Sequence, residues 1–356
     1  MERINSFNPK KFVSDYAIIL LVLLLAVFTF FNSENFVSQS NFKNLIINMA
    51  PRFIIACGVS GCLITKGTDL SAGRQVGLAA CVSAMLLQQM DYAAKMFPDL
   101  PDIPWFVAML IVMAVMSVFG AVNGAVIAYL KVPPFIATLG MQLVVYGICS
   151  ISTGNQPMGG YKKSYLKVAS GTLKTGAEDV SGLFLEEKAN LSDTPVGFVL
   201  DFVPYLAIFA VIVGLFIWFL YNKTRHGKYM YAIGGNESAA QVAGVNVPAT
   251  IIRIYVLASV LYGLAGFLVG AKAGGASTAT AYGYELEAIA ACTIGGVSAN
   301  GGVGKVSGVL VGVLVFEILK ICLQFLRLDP AYTFVAQGLV IIVAVALDLR
   351  KYLAKK

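Results

Sequence analysis

From residue 17 to residue 348 the chain is built of long apolar runs, most of them closed by a short polar or Gly/Pro-rich break and two by the longer polar stretches 153–203 and 222–249. The first is AIILLVLLLAVFTFF (17–31), and others cover 45–65, 75–90, 105–130, 134–152, 204–221, 250–270, 286–298, 306–326 and 331–348. A helix rises about 1.5 Å per residue and needs about 20 residues to cross about 30 Å of hydrocarbon. With their flanks most of these runs predict transmembrane helices, while 286–298 is too short to cross alone. No small-residue cleavage site follows 17–31, so it reads as an anchored helix and not a removed leader. The pattern predicts an all-α polytopic membrane protein of ten segments, some short or broken.

Composition agrees. The 356 residues are 58% hydrophobic and only 13% charged, with a mean hydropathy of +0.78. A soluble domain carries about 25% charged residues, so the length does not mean two soluble domains but one membrane-spanning unit over 1–356. Thirty-five glycines suit close helix packing in lipid. The net charge of +7 contains no basic block able to grip nucleic acid, and no nucleic-acid partner is expected. Instead Lys and Arg sit in short loops and near both ends, which orients the chain. Lys223, Arg225, Lys228 and Arg253 place 222–253 in the cytoplasm, and Arg350, Lys351, Lys355 and Lys356 place the C-terminus there. An even number of crossings must join these points, so 286–298 counts as a crossing or half-crossing. The N-terminus is then cytoplasmic, and 32–44, 91–104 and 153–203 lie outside.

Segment 153–203 mixes both charge signs with turn residues. It reads as an external loop insertion, either packed on the mouth of the protein or acting as a spacer. A weak internal repeat is also visible. GTDLSAG (67–73) and LKVPPFIATLG (130–140) in the first half answer YELEA (284–288) and LRLDPAYTFVAQG (326–338) in the second. Lys131 and Arg327 then fall on opposite faces, as an inverted-topology repeat requires.

Enzyme chemistry finds little support. One histidine, His226, excludes a His-based metal cluster, and no metal site is expected. The six cysteines lie in apolar stretches without a C-x-x-C pair and read as small buried hydrophobes. SANGGVGKVSG (298–308) fails as a phosphate loop: Ala299 stands where the first glycine should, and Val306 where the hydroxyl should. No G-x-S-x-G elbow appears, so no catalytic residue is assigned and the chain is read as a transport subunit.

The informative cytoplasmic stretch is TRHGKYMYAIGGNESAAQVAGVNVPA (224–249). Gly234 and Gly235 break the chain, Asn236 is a strong N-cap, Glu237 complements the helix dipole, and Gly244 is a natural stop needing positive φ. A short helix of about two turns, roughly 12 Å long, is predicted within 234–247. Its Ala-rich face, with Ala239, Ala240 and Val245, reads either as a docking knob for a cytoplasmic protein or as a plain capped interfacial helix.

The same stretch resembles the coupling segment of sugar permease subunits in bacterial ATP-binding cassette importers, the ribose/galactoside permease family. AIGGN (232–236), Ala239-Ala240 and GVNV (244–247) carry the likeness, with GTDLSAGRQVGLAA (67–80) and LEAIAACTIGGVSANGGVG (286–304). Thr68, Ala72, Arg74 and Gln75 resemble the galactose/methyl-galactoside branch; 153–203 matches poorly. The resemblance implies a monosaccharide importer of the inner membrane, for galactose, glucose or a methyl-galactoside. Two permease copies would form the pore, a cytoplasmic ATP-binding subunit would hold ATP and Mg, and an external sugar-binding protein would deliver substrate. This chain itself would bind no cofactor.

Ionisable groups inside a membrane are costly and usually face the interior. Asp69, Arg74, Glu285 and Glu287 border the interrupted segments, and Glu317 and Lys320 stand i, i+3 on one helix, where they can pair. Such groups serve as helix caps and structural pairs, or as the ion sites of a secondary carrier. Asp69, Ser71, Asn123, Thr138, Gln142, Glu287 and Gln337 are the candidate pathway residues. A secondary sugar carrier, and behind it a passive channel, remain alternative readings of the residues alone.

Overall fold

A computed structural model describes residues 9–173 and 202–353, and among these all the regular structure is helical. The ten expected stretches become α1 (Pro9–Asn32), α2 (Gln39–Ile64), α3 (Ala72–Leu87), α4 (Trp105–Tyr129), α5 (Pro134–Thr153), α7 (Tyr205–Lys223), α10 (Val247–Ala273), α11 (Tyr284–Ile294), α12 (Val306–Phe325) and α13 (Pro330–Leu353). Three short helices complete the set: α6 (Lys163–Ser170), α8 (Arg225–Gly235) and α9 (Glu237–Val242). By length and composition α2, α4, α5, α7, α10 and α12 can each cross a membrane. α11, at 11 residues, rises about 16 Å, half the hydrocarbon thickness. Of the two readings offered for this segment, a crossing or a half-crossing, that length suits the half-crossing.

Local chemistry sets the ends. Ser38 caps α2 by accepting from Asn41 N–H. Pro134 opens α5 at a position where its missing N–H costs nothing, and Asn246 caps α10 by accepting from Ala249 N–H. Gly154 and Gly274 close α5 and α10 in the left-handed region.

α10 is the central strut, packed against α4, α3 and α2. Gly120 and Gly124 on α4 form a G-x-x-x-G seam with it. A Cβ on Gly124 would lie 2.7 Å from Ile252 Cα, and one on Gly120 would collide with the Tyr255 carbonyl. Small residues are therefore needed for this backbone approach, as in lipid-embedded helix pairs. The outer faces of α1, α4, α5, α7 and α13 instead expose Leu, Ile, Val and Phe, with Phe31 77% and Ile151 85% accessible. Apolar exposure on this scale fits a lipid environment. All six cysteines are free and buried.

Loops sort to two ends. At one end Ile64, Lys66, Lys131, Gly235, Glu237 and Gly302 meet through hydrogen bonds and an ion pair. At the other, Gln88 bridges to Tyr161, Met158 to Ala276, and Ser33 donates to the Phe325 carbonyl. The first part of the 153–203 insertion is packed: α6 buries Tyr165, whose hydroxyl donates to the Phe267 carbonyl at 2.6 Å. Residues 174–201 of that insertion lie outside the described residues, as do residues 1–8 and 354–356.

The successions α2–α5 and α10–α13 repeat one another upside down. Each is a long helix, an interruption, a short helix, a long helix, a turn and a last helix. The two turns are built alike at opposite ends: Lys131 has φ 54 and Arg327 φ 55, each three residues before the proline that opens the next helix.

Candidate functional site

The polar end around α9 is built from its caps. Thr224 caps α8 by accepting from Gly227 N–H at 3.1 Å. Asn236 ends α8 and starts α9, its Oδ1 accepting from Ala239 N–H at 3.0 Å. Glu237 lies in the first turn, at the positive end of the dipole, and pairs with Lys131 Nζ at 3.3 Å. Both side chains are exposed, so this pair is worth about 0–1 kcal/mol. Gly244 closes the turn at φ +84.

The helix is shorter than the 234–247 span reserved for it. Gly234 and Gly235 end α8 instead, with Gly235 exposed and Gly234 buried, where a Cβ would collide with the Ile64 carbonyl. α9 presents two faces. Ala240 and Val245 are buried against the chain itself, whereas Ala239, Gln241 and Val242 face outward, Val242 at 90%. Ala240 therefore belongs to the inner side of the knob, not to the surface a partner could touch, because one side of a two-turn helix must anchor it.

The sequence missed two parts of this face. One is α8, whose exposed Arg225, Lys228 and Tyr229 conceal a buried row of Gly227, Met230, Ile233 and Gly234; the spacing 227–230–233–234 was the available signal. The other is the loop 298–304, rejected as a phosphate loop. Gly302 N–H donates to the Ile64 carbonyl at 2.8 Å, and Tyr231 hydroxyl to the Gly304 carbonyl at 2.8 Å. α8 is thus fastened to α2, α7 and α10 and, through Tyr231, to the loop after α11, while α9 packs on α8 and α10.

The seven candidate pathway residues divide into two clusters and one isolated residue. Asp69 Oδ1 accepts from Ser71 N–H and Oγ–H at 3.0 and 2.6 Å. Ser71 Oγ accepts from Gln75 and Asn123 at 2.9 and 3.1 Å, and Thr138 Oγ1 accepts from Leu70 N–H at 3.1 Å. All are buried, so this network ties α3 to α4 and α5 and lines no open path in this state. The second cluster is charged. Glu287 accepts from Arg52 Nε at 3.3 Å, from Lys320 Nζ, and from Gln337 Nε2 at 3.4 Å. Arg52 Nη1 also meets Glu317 Oε2 at 3.2 Å. The i, i+3 pair expected between Glu317 and Lys320 is replaced by these contacts, because both side chains turn away from their own helix toward α2 and α11. Gln142 stands apart, half-buried on α5 between Thr138 and Tyr146.

Residues 41–345 match the family described as branched-chain amino acid transport system / permease component. The chain is 40% identical over 358 residues to galactose/methyl galactoside import permease protein MglC of Escherichia coli (strain K12), covering 99% of this chain and 100% of the relative. It is 40% identical to the protein of that name in Haemophilus influenzae, over 100% of this chain and 99% of the relative. With ribose import permease protein RbsC of Escherichia coli (strain K12) the identity is 32%, over 97% of this chain and 96% of the relative. No solved structure matches significantly. The resemblance read from 67–80, 232–247 and 286–304 is thereby borne out, and the chain is a transport subunit and not an enzyme. With its all-helical, interrupted, membrane-length fold, the chain belongs to the permease-component family of membrane import systems.

Proposed function

We propose that this chain is the translocating subunit of an ATP-driven importer for a monosaccharide of the galactose, glucose or methyl-galactoside type. It would act in the inner membrane as two copies, with N- and C-termini cytoplasmic. The observation that carries the reading is α9: a rigid knob capped at both ends, packed on α8 and α10 and paired through Glu237 with Lys131 in the α4–α5 turn, and exposing Ala239 and Val242. A cytoplasmic ATP-binding subunit, holding ATP and Mg, would dock there. The cations Lys66, Lys131, Lys223, Arg225 and Lys228 at or beside this end support its cytoplasmic placement. The printed names of the relatives support a sugar as cargo, and an external sugar-binding protein would deliver it to the end carrying α6.

Uptake of labelled galactose by cells producing the chain with its ATP-binding subunit tests this. Val242→Asp is expected to abolish uptake at an unchanged level of membrane protein, because an exposed apolar contact is replaced by a charge that docking must desolvate. Normal uptake by that variant would remove the docking role.

A further inference from the structure

At mid-depth in the bundle one cation, Arg74, makes no ion pair among the described residues. Arg74 stands on the first turn of α3, about 20 Å of helix from the Leu87 end, and Tyr146 lies about 18 Å along α5 from Pro134. The Arg74 guanidinium donates to the Thr278 carbonyl at 2.9 Å. Its carbon lies 4.6 Å from the Tyr146 ring centre and 4.9 Å from that of Tyr282. Five N–H donors are available on a guanidinium, and among the described residues one hydrogen bond and no ion pair uses them. Both rings remain accessible, Tyr146 at 41% and Tyr282 at 64%. Gln142, one turn from Tyr146 on the same face of α5, is half-buried and has no hydrogen-bond partner among the described residues.

A charge turned to lipid at this depth costs about 2.5–3.5 kcal/mol even on lenient scales, so this surface faces water or protein. We propose that Arg74, Tyr146, Tyr282 and Gln142 form a contact station for a neutral monosaccharide within the translocation path, a proposal that rests on the transport reading above. An aromatic ring offers a flat apolar face to the C–H side of a sugar ring. The spare guanidinium donors and the amide serve its hydroxyls, which both donate and accept. Glu285, buried beside Gly73 on the same turn of α3 with Oε2 unpaired, offsets the local positive charge, which favours a neutral ligand over a carboxylate.

Labelling tests the station in membrane vesicles of the full chain, using a charged, impermeant thiol reagent. The unmodified chain is the blank, since its six cysteines are buried. Tyr282→Cys and Gln142→Cys are expected to react, and millimolar galactose or glucose, but not lactate, is expected to slow the reaction. Separately, Tyr282→Ala should lower maximal galactose uptake about tenfold, on the scale of one lost aromatic contact, while Tyr282→Phe keeps it. Reaction of Tyr282→Cys only with a lipid-soluble maleimide would overturn the station, as would protection by lactate in place of sugar. If the unmodified chain imports no monosaccharide, the transport reading fails on its own evidence. Labelling without sugar protection then removes the station too, whereas sugar protection keeps it as a binding site.

Discussion

Arg52 shows how a single side chain can hold several helices. It joins α2 to Glu287 on α11 and Glu317 on α12, while its guanidinium carbon lies 5.0 Å from the Tyr284 ring centre. Removing one partner of a buried pair strands the other charge and costs about 3–5 kcal/mol. Arg52→Ala should therefore lower the melting temperature of the purified protein sharply, and an unchanged melt would show that the contacts contribute little. His226 behaves differently. Burial first, and the Arg253 charge second, hold its imidazole below the usual histidine value. The folded chain thus binds this proton more weakly than the unfolded one. Its contribution is present above the unfolded value of about 6.5 and is lost as pH falls through the lowered one. His226→Asn is expected to flatten the decline of melting temperature between about pH 7 and pH 5; parallel curves for both proteins would contradict this. Neither effect is visible in the string of letters: the partners of Arg52 are 235 and 265 positions away.

At the scale of elements, α9 is the part whose sequence logic is most nearly complete. Asn236, Glu237 and Gly244 stand at the cap, first-turn and stop positions that their chemistry suggests. Gly244→Val places a β-branched residue at φ +84, where even Ala is strained by about 1 kcal/mol or more. It should loosen α9 and reduce uptake, with Gly244→Asn milder because Asn tolerates the left-handed region; equal uptake by all three proteins would show that the stop is dispensable. Which side of α9 faces out was not legible. ESAAQV is too short and too uniform for periodicity to distinguish Ala239 from Ala240, and only packing against the rest of the chain does so. Ala240→Glu should accordingly cost folded protein, whereas Ala239→Glu should cost uptake alone, an opposition that membrane protein level and transport read separately.

Across the whole molecule, the inverted succession of α2–α5 and α10–α13 sets two interrupted stretches, 65–71 and 274–283, into one bundle, where the start of α3 meets the second of them: a Cβ on Gly73 would lie 2.8 Å from the Ala281 carbonyl. Broken helices leave backbone groups that lipid cannot satisfy, so they are tolerated only inside protein or beside water. Here the protein supplies the partners: Thr138 serves Leu70, and Arg74 serves the Thr278 carbonyl. The two ends should react from opposite sides of a sealed membrane. A cysteine at Val242 should label with impermeant reagent only after permeabilisation and one at Lys95 before it; the reverse result would invert the orientation.

The number of long helices, most of their boundaries and the half-length of α11 follow from apolar run length, since a helix in lipid must satisfy its own backbone and span a set thickness; α1 and α2 begin earlier, at Pro9 and Gln39, and α6 and α8 carry no such run. Caps and turns follow likewise from local chemistry, down to the matched turns at Lys131 and Arg327. Three-dimensional packing chose the partners. Nothing local distinguishes the sealed Asp69–Ser71–Asn123–Thr138 network from an open polar path, because those residue types suit both. Nothing local announces that Arg74 meets two tyrosines 72 and 208 positions along the chain. Such contacts depend on which faces of distant helices are turned together, a property of the assembled bundle rather than of any one segment.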